Sequence, residues 1–313
     1  MTPRARQSSL RAALGRPWLA WAMLALACLA AIGDAATPRE RDAAAAAQEA
    51  AARANVETAL YNQPALLQRS IGALRPRDPD AINLYVLAIA GDGSQEVFRR
   101  EVEFVGDELE RMFHVRGHTI ALINSRSTVG TVPMATVTSI REALAAIAAS
   151  MDRERDILFF FVTTHGSRDH LLVLDQPGMD LPWLSATQLA TLLQASGIRW
   201  KVVVVSACYS GGFIEPLRDE HTLIITASRA DRSSFGCADE NELTDFGRAY
   251  FKEALPQSSS FQDAFRRAQK LVDAWEARDA DGHRVRHSLP QIDDPPAVEA
   301  YLARWWSQAR APR

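Results

Sequence analysis

Apolar residues in this chain arrive in short unbroken blocks separated by amphipathic stretches. The blocks are INLYVLAIAG (82–91), HTIALINS (118–125), DILFFFVTTHG (156–166), WKVVVVS (200–206) and HTLIITAS (221–228). Runs this short, rich in β-branched and aromatic residues, predict strands buried on both faces. Between them VFRREVEFVGDELERMF (97–113), TVTSIREALAAIAASM (136–151) and SATQLATLLQASG (185–197) carry apolar positions at helical spacing. The last also has a capping box in Ser185 and Gln188 and a glycine at its end. Three further segments, LTDFGRAYFKEAL, SSFQDAFRRAQKLVDAWEAR and VEAYLARWW, read as helices. Trp305 and Trp306 in the last are expected to pack. Alternating strands and helices predict βαβ units: an α/β three-layer sandwich with a mostly parallel sheet and helices on both faces.

The first 79 residues read differently. Arg4, Arg6, Arg11 and Arg16 precede an uncharged apolar stretch at 17–33. That layout predicts a secretory signal over 1–36, with a retained membrane anchor as the alternative. Either places the protein outside the cytoplasm (periplasmic or extracellular) or anchors it to a membrane through this segment. Cys28 closes LALAC, a hint of lipid attachment, but the order of small residues favours a plain cysteine in an apolar segment. Residues 37–79, rich in Ala, Arg, Glu and Gln, read as a tether or helical linker. The folded domain is expected over 80–313.

The composition narrows the function. A 47% hydrophobic fraction over 313 residues supplies a real core, and a formal charge of −3 without a basic block argues against nucleic acid. The cysteines are Cys28, Cys208 and Cys237, too few for a disulfide scaffold. A Cys208–Cys237 bridge would block Cys208. No CxxC or paired Cys/His spacing suggests zinc, and no metal or organic cofactor is expected.

Candidate chemistry lies at two strand ends. Cys208 follows the block 200–206 and is trailed by Gly211 and Gly212, which predict a sharp exit leaving the thiol exposed. A thiol needs a base to work as a nucleophile near neutral pH. His165 ends the block 156–166 and is followed by Gly166, so a right-handed crossover through one helix puts the two strand ends side by side. The backbone N–H groups of Gly166 and Cys208 would then face a developing oxyanion, and the missing side chain at Gly166 allows close approach. His170, a few residues past the strand end, is the rival base.

These residues also carry a resemblance. THG with SACYSGG resembles the catalytic signature of the legumain-type cysteine peptidases, relatives of caspases and of the GPI transamidase catalytic subunit. The segment 226–251 resembles the family's stretch after its fifth strand, sharing Ala227, Ser233, Ser234, Cys237, Asp239, Glu240, Thr244, Gly247 and Tyr250. FRRE (98–101) resembles its arginine-bearing start of the first helix. The resemblance covers about 82–255 and implies a caspase-like sandwich. It also implies a cysteine endopeptidase acting on protein or peptide substrates through an acyl-enzyme, with Cys208 as nucleophile, His165 as acid/base, and the amides of Gly166 and Cys208 as oxyanion donors. A transamidase using the same acyl-enzyme, and a catalytically silent binding scaffold, are the alternatives.

The family's substrate pocket maps only in part. Arg99 and Ser233 match its arginine and serine, while Ser206 stands where a glutamate belongs and Arg248 where an aspartate belongs. With two carboxylates lost, an uncompensated Arg99 would shift P1 preference toward Asp through a charge-assisted contact, or broaden it to either Asp or Asn. Alternatively Arg99 simply pairs with Glu103 along its helix. Asp92, in AGDG, is the nearest candidate for orienting His165, because the family's Asn is missing there, and Thr164 replaces an acidic residue common before the family's His. Cys237 matches a family cysteine without a catalytic role and reads as structural or free.

Overall fold

A computed structural model describes residues 37–278 and 286–309. Residues 1–36, the expected signal or anchor with Cys28, lie outside the described residues, as does His283. No helix among the described residues is long and apolar enough to cross a membrane.

Five parallel strands form the sheet: β1 (Leu84–Ala90), β2 (Thr119–Ile123), β3 (Ile157–Thr163), β6 (Trp200–Ser206) and β7 (Thr222–Thr226). A short sixth strand, β8 (Gln291–Asp293), adds antiparallel to β7, giving the order β2-β1-β3-β6-β7-β8. A two-residue pair, β4 (Leu171–Leu172) with β5 (Leu184–Ser185), stands apart from it. The three central strands β1, β3 and β6 are buried almost throughout, which is why they read as continuous apolar runs.

Alternate residues of each strand feed two cores. On one face Phe159, Phe161, Val202 and Val204 meet α3 (Glu96–Phe113), the segment from α6 (Asp245–Gly247) through π-helical turns at Arg248–Ala254, α7 (Phe261–Arg278) and α8 (Pro296–Ala309). On the other Leu158, Phe160, Val203 and Val205 meet α4 (Val137–Ser150) and α5 (Ala186–Ser196). This is the expected three-layer sandwich. Trp305 and Trp306 pack as expected, ringed by Phe113 and Phe261 at centroid distances of 4.9–5.8 Å.

Caps define the helix starts. Thr136 and Ser139 cap α4 reciprocally, as Ser185 and Gln188 cap α5, and Gly197 closes α5 in the left-handed conformation at φ 66°. The Ala-rich stretch is helical, as α1 (Pro38–Ala54) and α2 (Val56–Gly72). From Gln48 onward the chain forms one compact unit. Within it α2 lays Leu67 and Ile71 on the second core, and the Gln63 amide bridges Val129 O and Met134 N at 3.2 and 2.7 Å.

Candidate active site

β3 and β6 are neighbours in register, with Thr163 opposite Ser206. The ladder runs one step further, the Thr164 N–H donating to Ser206 O at 3.1 Å. His165 and Cys208 therefore stand equally far beyond paired strand ends, on the same side of the sheet as α3. Both are half-buried.

The approach between the two loops is close. A Cβ on Gly166 would lie 2.1 Å from the Cys208 carbonyl oxygen, so the glycine is required by the Cys208 loop itself. The amide N–H groups of Gly166 and Cys208 make no hydrogen bond among the described residues. The sharp exit, however, does not fall on a glycine: Tyr209 takes the left-handed conformation at φ 59°. Gly211 and Gly212 serve close packing instead, against the Arg229–Ala230 backbone and the His170 ring.

His165 is held by α3. Its Nε2 lies 2.8 Å from Gln95 Oε1, and its ring sits edge-on to Phe98 at 5.2 Å. An amide oxygen accepts, so Nε2 carries the proton and the free lone pair of the neutral ring is on Nδ1. Gln95 occupies the N-cap position of α3 in an extended conformation that turns its amide toward the strand ends. Asp92 does not reach His165: it is buried, bound to Ser94 N at 2.8 Å. The orienting group comes from the helix start rather than the strand end, because the loop 91–95 turns Asp92 back on itself.

The thiol faces the segment after β7. Ser234 donates its N–H to Cys208 Sγ at 3.2 Å, with its Oγ and carbonyl oxygen at 3.6 Å. No hydrogen bond joins the Cys208 sulfur and the His165 imidazole; the sulfur instead takes the Ser234 N–H. Cys208 and Cys237 are both free. Burial, then the proximity of Cys208, pushes the Cys237 thiol up to about 12.

The substrate-binding candidates fare unevenly. Arg99 is not uncompensated: Nε meets Glu96 at 2.5 Å and Nη1 meets Glu103 at 2.6 Å. The helix-face pairing with Glu103 is real, and Glu96 adds a second carboxylate. Ser206 is buried, its Oγ 3.3 Å from Thr244 Oγ1, because the last β6 residue turns into the core. Ser233 is half-buried, donating weakly to the Tyr209 hydroxyl at 3.5 Å. Arg248 is exposed, beside Glu253 and over the Trp275 ring.

A charged lattice invisible to periodicity supports the site. Arg126, nearly buried, donates to both Asp239 oxygens at 2.7 Å and lies 3.6 Å from Glu96. Burial works to raise the Asp239 pKa, yet the Arg126 bonds and the Glu96 N–H outweigh it and hold it low. Arg100 donates to Asn241 O at 3.1 Å and also to Asp239 O. The start of α3, carrying Gln95, is thereby tied to the segment facing Cys208. Beneath it Glu101 is wholly buried, taking Thr244 N at 3.0 Å and Thr163 Oγ1 at 3.4 Å. Burial raises its pKa to about 7. Among the described residues no group of His, Cys, Asp and Glu is arranged to hold a metal ion.

Residues 138–289 match the Peptidase C13 family. The match spans just under half the chain and includes His165, Cys208 and the segment through Cys237. It supports the legumain-type resemblance and a cysteine peptidase in general terms. No curated protein matches the chain. Among solved structures the chain is similar to caspase-1 from Spodoptera frugiperda, at 14% identity over 71% of this chain and 93% of that one, with a TM-score of 0.47.

Proposed function

We propose that this C13-like chain is a cysteine endopeptidase that works through Cys208 and His165. The observation that carries the reading is the register of β3 and β6, which brings a thiol and an imidazole to matched positions beyond two buried strands. Nδ1 of His165, left free by the Gln95 contact, takes the thiol proton. The thiolate attacks the scissile carbonyl, and the oxyanion that forms is received by the amides of Gly166 and Cys208. His165 returns the proton to the leaving amine, and water releases the acyl group by the same steps in reverse order.

The paired state of Arg99 bears on P1. Two carboxylates already neutralise it, so an Asp side chain gains little there and meets Glu96 as a like charge. An Asn amide offers both a donor and an acceptor to such a mixed pocket. We therefore assign P1 to Asn ahead of Asp. Fluorogenic peptides differing only at P1 (Asn, Asp, Arg, Ala) test this against the Cys208→Ala variant. Cleavage lost in the variant and fastest for Asn is expected. Equal cleavage by the variant would remove the peptidase reading, and faster cleavage after Asp would remove the pocket argument alone.

A further inference from the structure

Among the described residues four that are not glycine have left-handed backbone: His114, His170, Tyr209 and Leu289. Two of the four are bonded to each other. His170 (φ 57°) sets Nδ1 at 3.0 Å from the carbonyl oxygen of Tyr209 (φ 59°). Such conformations persist only where surrounding contacts over-determine them, and they gather at functional sites. Tyr209 directly follows Cys208.

Both peptide groups around Tyr209 are held. Its N–H donates to Arg232 O at 2.7 Å, and its carbonyl accepts from Gly212 N at 3.1 Å as well as from His170. The imidazole occupies the place where a side chain at 212 would stand, since a Cβ on Gly212 would fall 2.1 Å from Nδ1. His170 is itself anchored, its N–H donating to Ser167 O at 3.1 Å and its carbonyl accepting from Ala186 N at 3.2 Å. From the same loop the Arg168 guanidinium lies over the Tyr209 ring at 5.7 Å. The loop that leaves His165 thus grips the loop that leaves Cys208.

We propose that His170 is a positioning residue, which locks Tyr209 in its left-handed turn and so holds the Cys208 thiol and amide in their reactive orientation. This rests on the reading of Cys208 as nucleophile. A carbonyl oxygen only accepts, so Nδ1 of His170 carries a proton whether the ring is neutral or charged. That nitrogen cannot serve as the base.

The test compares the full chain with His170→Ala, His170→Asn, Gly212→Ala and Cys208→Ala. It reads kcat and KM on the P1-Asn peptide, the pH profile of kcat/KM, and the rate of Cys208 alkylation by iodoacetamide. The Asn amide can place an N–H where Nδ1–H stands. For His170→Ala we expect kcat to fall about tenfold or more with KM within about twofold, a pattern of lost transition-state geometry. Alkylation should slow in parallel, the acidic limb of the profile should stay, and His170→Asn should recover most of the rate. The proposal is overturned if His170→Ala stays within about twofold of the parent. It is equally overturned if Asn is no better than Ala, or if the acidic limb disappears, which would make His170 the base. Should His170→Ala fail to fold, Gly212→Ala decides, because it displaces the ring while leaving His170 intact: a matching loss of kcat sustains the proposal and a parent-like kcat removes it. If the parent cleaves no peptide, or Cys208→Ala cleaves as well as the parent, the peptidase reading fails, and the alkylation rates still decide the role of His170.

Discussion

Cys237 follows closely on Ser234, whose N–H meets the Cys208 sulfur, yet burial pushes the Cys237 thiol up to about 12. A thiol held that high stays protonated at working pH and reacts slowly. Peptide mapping after brief alkylation at pH 7.5 should find Cys208 modified well ahead of Cys237; equal labelling would contradict the assignment. Gln95→Ala removes the partner of His165 Nε2 and frees the ring to take the wrong tautomer. A fall in kcat of about tenfold or more with little change in KM is expected, and an unchanged kcat would show that Phe98 packing alone holds the ring. At Gly166 the margin is steric. With a Cβ 2.1 Å from the Cys208 carbonyl, Gly166→Ala has to push the two loops apart, and activity should be lost while the fold's thermal transition survives.

At the scale of elements, the start of α3 depends on a salt-bridge lattice that packing does not provide. Arg126→Ala would leave Glu96 and Asp239 facing each other without the cation between them. With the Asp239 side chain 38% exposed and so partly screened, removing the cation costs about 2 kcal/mol, below the figure for a fully buried pair. Urea unfolding should record a loss of that order, with a fall in activity as Gln95 loosens. The elements themselves were largely legible: the central strands are buried on both faces and declare themselves as unbroken apolar runs. Short pieces were not. β8, three half-buried residues, and the β4–β5 pair carry too few apolar positions to show a period. The spacing of Ala59, Leu66, Leu67 and Ile71 does mark an apolar stripe on α2, and the high alanine content around it hides the signal. The placement of His165 and Cys208 side by side was readable because strand ends locate them. Gln95 and Arg126 were not, since their partners lie far away along the chain and no local pattern encodes such a contact. Arg99 was ambiguous for a related reason: Glu103 is visible at i+4, but whether its charge is spent depends also on Glu96.

The whole molecule carries a pH dependence set by Glu101. Its carboxyl lies between β3, α3 and Thr244 with no access to water, and burial raises its pKa to about 7. An unfolded chain releases that proton near the ordinary Glu value of about 4.3. Between these values the unfolded state binds fewer protons, so stability falls as pH rises. The contribution is fully present below the unfolded value and is lost as pH passes through about 7. Unfolding free energies measured from pH 4 to 8 should therefore decline across that window by an amount on the order of 3 kcal/mol, and Glu101→Gln should flatten the decline. A Glu101→Gln profile parallel to the parent would assign the slope to other groups.

The register of β3 against β6 has one more consequence. The separation of thiol and imidazole is set by backbone hydrogen bonds between two buried strands, while Arg99 and Ser233 sit on α3 and on the segment after β7. On the proposed reading, reaction and selection are carried by different parts of the chain. On that reading, substitutions at Arg99 or Ser233 would redraw which peptide is accepted while the strand register that places the sulfur and its base stays as it is. A single-residue insertion at either strand end would abolish the chemistry and leave the pocket intact.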